Sequence, residues 1–149
     1  MKLIAHRGNI NGRDEEQENN PIYISKALES GYDAEIDVWY INKEWCLGHD
    51  KPQYKIEDYS FFSKRGLWLH AKNGDAFFEL LKDTELNIFW HTNEDWILTS
   101  KGYIWTYPNK TLYPNSICVL PELGFNGDIK ECHGICSDYI VLYNNLCHL

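Results

Sequence analysis

The segment from Ala34 to Ile41 reads Ala-Glu-Ile-Asp-Val-Trp-Tyr-Ile and alternates with a period of two. As a strand it sets Glu35, Asp37 and Trp39 on one face and Ile36, Val38 and Tyr40 on the other. A helix lying outside the sheet would cover the apolar set. Both carboxylates then point inward together, and paired like charges in a low-dielectric interior make sense only with a cation between them. A chain organised around this strand needs a sheet with a polar inner face.

The neighbouring segments fit a parallel sheet. Leu3-Ile4-Ala5 is a short apolar run that ends at the polar His6-Arg7-Gly8, the pattern of a buried strand opening into a loop. Residues 9 to 20 read as loop. A helix then starts at Asn20, which can cap it, with Pro21 in the first turn and Gly31 to close it; Ile24, Ala27 and Leu28 form its buried stripe. Asn42-Lys43 reads as a turn, and Glu44 to Leu47 as a returning strand that delivers Gly48-His49-Asp50. Leu67 to Lys72 is strand-like, with His70 and Lys72 sharing a face, and Ala76 to Lys82 reads as a helix with Phe77, Phe78 and Leu81 facing in. Asn87 to His91, Gly102 to Tyr107, Ser116 to Leu120 and Gly134 to Cys136 read as four more strands.

Strand, helix, strand in alternation argues for parallel α/β architecture. A full barrel of eight strand–helix units takes about 250 residues, so a single domain of 149 residues must lose most of its outer helices. The glycine fingerprint of a doubly wound sheet is missing after the first strand. The expected fold is therefore a small, eroded TIM-type (β/α) barrel with reduced outer helices, packed by Trp39, Trp90 and Trp105.

Composition narrows the partners. A net charge of −8 argues against nucleic acid, whose phosphates require a basic surface, but leaves room for a small phosphorylated substrate beside a metal. No apolar run approaches the roughly 18 residues of a membrane span. A secretory leader would have to include His6-Arg7-Gly8, so a cytoplasmic location is expected. The five cysteines are then read as reduced thiols. Cys132, His133 and Cys136, with Cys147 and His148 nearby, have spacing suited to zinc, but Cys136 sits in a strand-like apolar run, which favours a structural role.

The ordered motifs His6-Arg7-Gly8, Glu18-Asn19, Glu35-Ile-Asp37, Gly48-His49-Asp50-Lys-Pro52 and, less closely, Leu69-His-Ala-Lys72 and Gly134-Ile-Cys-Ser-Asp138 resemble the glycerophosphodiester phosphodiesterase family. The resemblance implies a (β/α) barrel with a metal-dependent phosphodiesterase site at the C-terminal ends of its strands, and with it a place in lipid metabolism. It implies that His6 and His49 are the acid/base pair, that Arg7 contacts the phosphate, and that Glu35 and Asp37 hold one divalent cation. The family's third carboxylate, two residues before a strand lysine, is replaced here by His70 before Lys72. Either His70 ligates directly or Glu122 supplies the missing oxygen.

The chemistry is consistent with these residue types. A cation with Arg7 and Lys72 would stabilise the charge that builds on a phosphodiester as it breaks, while one histidine takes a proton and the other gives one. Oxygen-rich ligands point to magnesium or calcium, and a histidine ligand shifts the balance toward manganese or zinc. Glu18, which suits holding Arg7 or a loop better than ligating, Glu122 and Asp138 are further candidates, and His91 falls at a strand end. Two other outcomes follow from the same residues: lyase-type cleavage to a cyclic phosphate, and a non-catalytic module that binds a phosphate ligand.

Overall fold

In a computed structural model, which describes residues 1–148 and the side chains of residues 1–145, one ten-stranded sheet carries the chain. Its strands are β1 (Lys2–His6), β2 (Asp33–Ile41), β3 (Glu44–Leu47), β4 (Tyr54–Ile56), β5 (Leu67–Ala71), β6 (Ile88–Phe89), β7 (Trp96–Leu98), β8 (Ile104–Thr106), β9 (Ser116–Val119) and β10 (Gly134–Ser137). Parallel pairing runs β6, β5, β2, β1, β10, β9, β8. Two additions are antiparallel: β7 on β8, and the β3–β4 meander on the far end of β2.

The sheet curls so that Phe89 of β6 stacks on Trp105 of β8 at 4.5 Å between ring centroids. The ladder itself does not close. Ser100 bridges the gap instead: its N–H donates to the Ile88 carbonyl, and its hydroxyl accepts from the Ile88 N–H. This corrects the expected eroded TIM-type barrel. The sheet is mixed and the barrel is open, with two α-helices among the described residues, α1 (Pro21–Glu29) and α2 (Gly74–Leu80). The physical reason lies in the connections. Beyond β6 they are antiparallel β7, loops and 3₁₀ turns, whose residues lack the apolar 3.6-residue period of a covering helix.

The two faces of the sheet carry different chemistry, as period-two alternation requires. Outward residues Ala5, Ala34, Ile36, Val38, Leu69 and Ile135 are fully buried under α1, α2 and the flanking 3₁₀ segments. Inward residues Ile4, Trp68, Phe89, Trp105, Ile117 and Cys136 form a second cluster inside the curl. Asn20 caps α1, its side chain accepting from the Ile22 N–H, and Ile24 and Ala27 are its buried residues. Truncating Ile24 to alanine would cost about 2–5 kcal/mol by the usual cavity rule.

Helix α2 begins earlier than expected because Asn73 caps it, and that shift sets its buried face. Ala76 and Leu80, four residues apart, pack inward, whereas Phe78 is 66% and Leu81 39% exposed. Phe77 keeps a partly buried position against the core. Trp90 likewise departs from the expected barrel packing and is exposed, while Trp105 is buried. Strands β4 and β7 are additional to those expected; each has three residues, too few for alternation to be recognised.

Candidate functional site

All the parallel strands end at one rim, where a barrel-type sheet collects functional side chains. Register explains which side chains meet. His6 of β1 pairs with Glu35 of β2, Asp37 of β2 pairs with His70 of β5, and His70 pairs with Phe89 of β6. Neighbouring parallel strands thus set four titratable groups side by side on the inner face.

The connections complete the set. At the end of β1, Arg7 adopts a left-handed backbone (φ 53°) and Gly8 follows at φ 89°. A Cβ on Gly8 would fall 2.9 Å from the Tyr23 ring and 3.0 Å from Ile24, so only glycine lets α1 pack against this turn. His49 arrives by the β2–β3 hairpin, whose Asn42 and Lys43 both have positive φ, matching the twist of a tight hairpin turn. A side chain at Gly48 would collide with the Lys51 carbonyl oxygen.

Asp37 is the most heavily partnered group. It accepts from Asn19 Nδ2 (2.9 Å), contacts His49 Nδ1 (3.3 Å) and His70 Nδ1 (3.0 Å), and lies 3.2 Å from Arg7 Nε and 3.4 Å from Lys72 Nζ. The Arg7 Nε contact is ionic, since it lacks the alignment of a hydrogen bond. Burial alone would raise the pKa of Asp37. The bonds from His49 and His70 and the charges of His70 and Arg7 outweigh burial and hold it well below the ordinary carboxylate range.

Glu35 behaves oppositely. It is as deeply buried, but it accepts only from the Arg7 backbone N–H (3.3 Å) and stands 3.7 Å from His70 Nδ1. Burial and then the neighbouring Asp37 push its pKa up, and His6, His70 and Arg7 offset only part of that.

Ligand atoms of Glu35, Asp37 and His70 lie within 4.8 Å of one another, forming a buried group that could hold a metal ion. That spread suits one ion at roughly 2.0–2.6 Å from each donor. Glu35, which accepts a single hydrogen bond among the described residues and is raised in pKa by burial and the neighbouring Asp37, is the observation that fits a cation best. No other metal-holding group of this kind occurs among the described residues. In particular, the Cys132 thiol donates to backbone carbonyls of Ile129 and Gly134, and Cys136 is fully buried, so Cys132, His133 and Cys136 are not gathered for zinc. The Cys147 and His148 side chains lie outside the described residues.

His6 faces the carboxylates with Nε2, 3.9 Å from Glu35, while its Nδ1 is held by Asp138 at 2.8 Å. Burial works to lower the His6 pKa, but the Asp138 hydrogen bond and the charge of Glu35 more than compensate, and the net direction is upward. Asp138 shifts down: burial opposes this, and the His6 bond and charge prevail. Glu122 receives the Ser137 hydroxyl (2.9 Å) and the Asp138 N–H (2.8 Å), so it positions Asp138 and does not join the metal-holding group. Glu18 is also a positioning residue, accepting from Arg7, Asn9 and Arg13.

His49 Nε2 meets Arg7 at 3.1 Å. His6, Arg7, Glu35, Asp37, His49, His70 and Lys72 all line one cavity of about 340 Å³. His91 lines it too, stacked on His70 at 4.4 Å with its Nδ1 buried and unpartnered. Burial, then the charges of His70 and Lys72, push its pKa down to about 4.

Sequence reasoning named Asn19 in a motif without giving it a role and missed Asn9. Asn19 clamps Asp37 twice, its Oδ1 accepting from the Asp37 N–H (2.8 Å) and its Nδ2 donating to the carboxylate. Asn9 bridges Glu18 and Asp138. The signal for Asn19 was its place beside Glu18 in a loop, since asparagine tolerates the positive φ (63°) found there. Comparison of the chain with protein-family models, with curated proteins and with solved structures gives no match in any of the three.

Proposed function

We propose that this chain is a metal-dependent phosphodiesterase acting on a small, glycerophosphodiester-like substrate. One observation carries the reading: two histidines flank a buried acidic metal-holding group in the same cavity as two cationic side chains. A binding pocket for a phosphate needs the cations; the paired imidazoles, His6 backed by Asp138 and His49 by Asp37, are what a reaction adds.

Arg7 and Lys72 attract and orient the anionic diester. His6 takes a proton on Nε2 from the attacking water, because Asp138 at Nδ1 stabilises the imidazolium that forms. The water oxygen bonds to phosphorus as the bond to the leaving alcohol breaks. Once the diester draws Arg7 off His49 Nε2, that nitrogen can carry the proton that the departing alkoxide needs. Glu35, Asp37 and His70 would hold the cation, with magnesium or calcium favoured by the two carboxylates and manganese or zinc by the imidazole. A divalent ion bound there supplies electrophilic stabilisation of the phosphate charge. The Asn19 clamp and the Glu122–Asp138 contact keep Asp37 and Asp138 oriented.

The test is a panel of glycerophosphodiesters incubated with and without divalent cations, with products identified by phosphorus NMR. A phosphomonoester formed only with metal, and lost in His6→Ala and His49→Ala, supports the hydrolase. A cyclic phosphate as the final product would turn the reading to a lyase, and saturable binding without turnover to a binding module.

A further inference from the structure

We propose that one of the two alcohols of the diester is apolar, an alkyl or aryl group lodged against the wall of the cavity opposite its charged residues. This rests on the phosphodiesterase reading of the same cavity and adds its substrate class.

The cavity lining divides in two. One side, from β1, β2, β5 and the β3 loop, is charged. The other comes from the ends of β8 and β9 and the segments that follow, and consists of Trp105, Tyr107, Pro108, Val119, Leu120 and Leu123. Trp105 and Val119 are buried at its base, while Tyr107 and Leu123 stand 44% and 61% exposed at its mouth. Thr92 and His91 lie between the halves.

A polyol such as glycerol would turn its hydroxyls toward this wall and find few partners, and each unpaired buried hydroxyl weakens binding. An apolar body gains on the same surface, by about fourfold in affinity for each methylene fully removed from water. The backbone gives a second argument. Leu120 holds a left-handed conformation (φ 47°, ψ 55°), unfavourable for leucine, and is fixed there by its N–H bond to the Cys136 carbonyl (2.7 Å). Glycine would occupy this position without strain. A large apolar side chain is retained at a strained turn on the cavity wall, and the turn leads directly into the 3₁₀ segment Pro121–Leu123 that carries Leu123.

The experiment compares three esters that share a methyl group: methyl hexyl, methyl phenyl and methyl glyceryl phosphate. Binding is followed by NMR titration in chelator, where a metal-dependent reaction is silent. The hexyl or phenyl ester should bind at least about tenfold more tightly than the glyceryl ester. A hexyl preference marks an alkyl alcohol and a phenyl preference an aryl one. Leu120→Gly, which keeps the backbone conformation, and Leu123→Ser at an exposed position should each weaken the preferred ester roughly threefold or more while leaving the glyceryl ester unchanged. Equal or tighter binding of the glyceryl ester, no binding of any ester, or indifference to both variants would overturn the proposal. Turnover with added metal is scored separately. An apolar preference without turnover removes the phosphodiesterase reading alone, and turnover with a glyceryl preference removes the apolar alcohol alone.

Discussion

Glu35 and Asp37 are two residues apart on one strand, equally buried, and should respond to loss of charge in opposite ways. Asp37 neutralises a ring of donors: His49, His70, Arg7 and Lys72, with Asn19 beside them. Asp37→Asn leaves buried or half-buried cations without their partner, and breaking such a buried ion pair costs about 3–5 kcal/mol. For a chain of this size each kcal/mol moves the melting temperature by about 2–4 °C, so a fall of roughly 6–20 °C is expected. Glu35→Gln removes a carboxylate that burial and Asp37 already disfavour, while the amide oxygen can still accept from the Arg7 N–H. Without metal its melting temperature should be unchanged or higher. With metal the order reverses in meaning. The wild type should gain about 2.7 kcal/mol at a hundredfold excess of cation over its dissociation constant, and Glu35→Gln should gain almost none of this. Differential scanning calorimetry in chelator and in cation gives all six values. Glu35→Gln falling as far as Asp37→Asn in chelator would refute the division of roles.

Other outcomes are equally specific. His6→Ala and His49→Ala should each lower turnover by about two to four orders of magnitude without unfolding the chain, measured on the best diester of the panel. Asn19→Ala should destabilise the fold by about 1–3 kcal/mol in urea melts, since it strips two hydrogen bonds from buried Asp37. For the His6–Asp138 pair, the raised His6 pKa stabilises the fold fully below 6.5 and loses this as pH rises through the folded value; the lowered Asp138 pKa stabilises it above 3.8 and loses this as pH falls through the folded value. The stability advantage of the wild type over Asp138→Asn should therefore be largest between these two values and shrink toward alkaline pH; a constant difference would exclude the pairing. His91, neutral in the fold and lowered to about 4, should make the wild type lose stability relative to His91→Gln as pH falls from 6.5 to about 4.

The inner face of the fold was legible wherever a strand was long enough to show its alternation. β2 has nine residues, and its inward Glu35 and Asp37 could be read directly; β5 delivered His70 through the same rule, while His6 follows from the polar end of the apolar run in β1. What the sequence did not disclose was closure. The Asn42-Lys43 turn marked β3 as a returning strand, yet nothing local showed that β4 would continue the sheet beyond it, or that β7 would reverse onto β8. Those pairings are set by contacts between distant segments, and three-residue strands carry too few side chains to announce them. The buried face of α2 was missed for a simpler reason. Its cap, Asn73, is spent partly on β2, bonding both the N–H and the carbonyl of Tyr40, which fixes the helix start and hence which residues turn inward. Glu18 already reads as a holder of Arg7, and it is one, but the roles of Glu122 and Asp138 as positioning groups required the actual distances, because a carboxylate at a strand end reads the same whether it faces a metal or a neighbouring histidine.

The most direct measurement is a cation titration of chelator-stripped protein, with hydrolysis of a phosphodiester followed at each addition. Activity should be absent in chelator, rise with added magnesium, calcium or manganese, and saturate at one ion per chain, while Glu35→Gln stays flat across the range. Full activity in chelator, or no turnover of any diester at any cation concentration, would contradict a metal-dependent phosphodiesterase built on Glu35, Asp37 and His70.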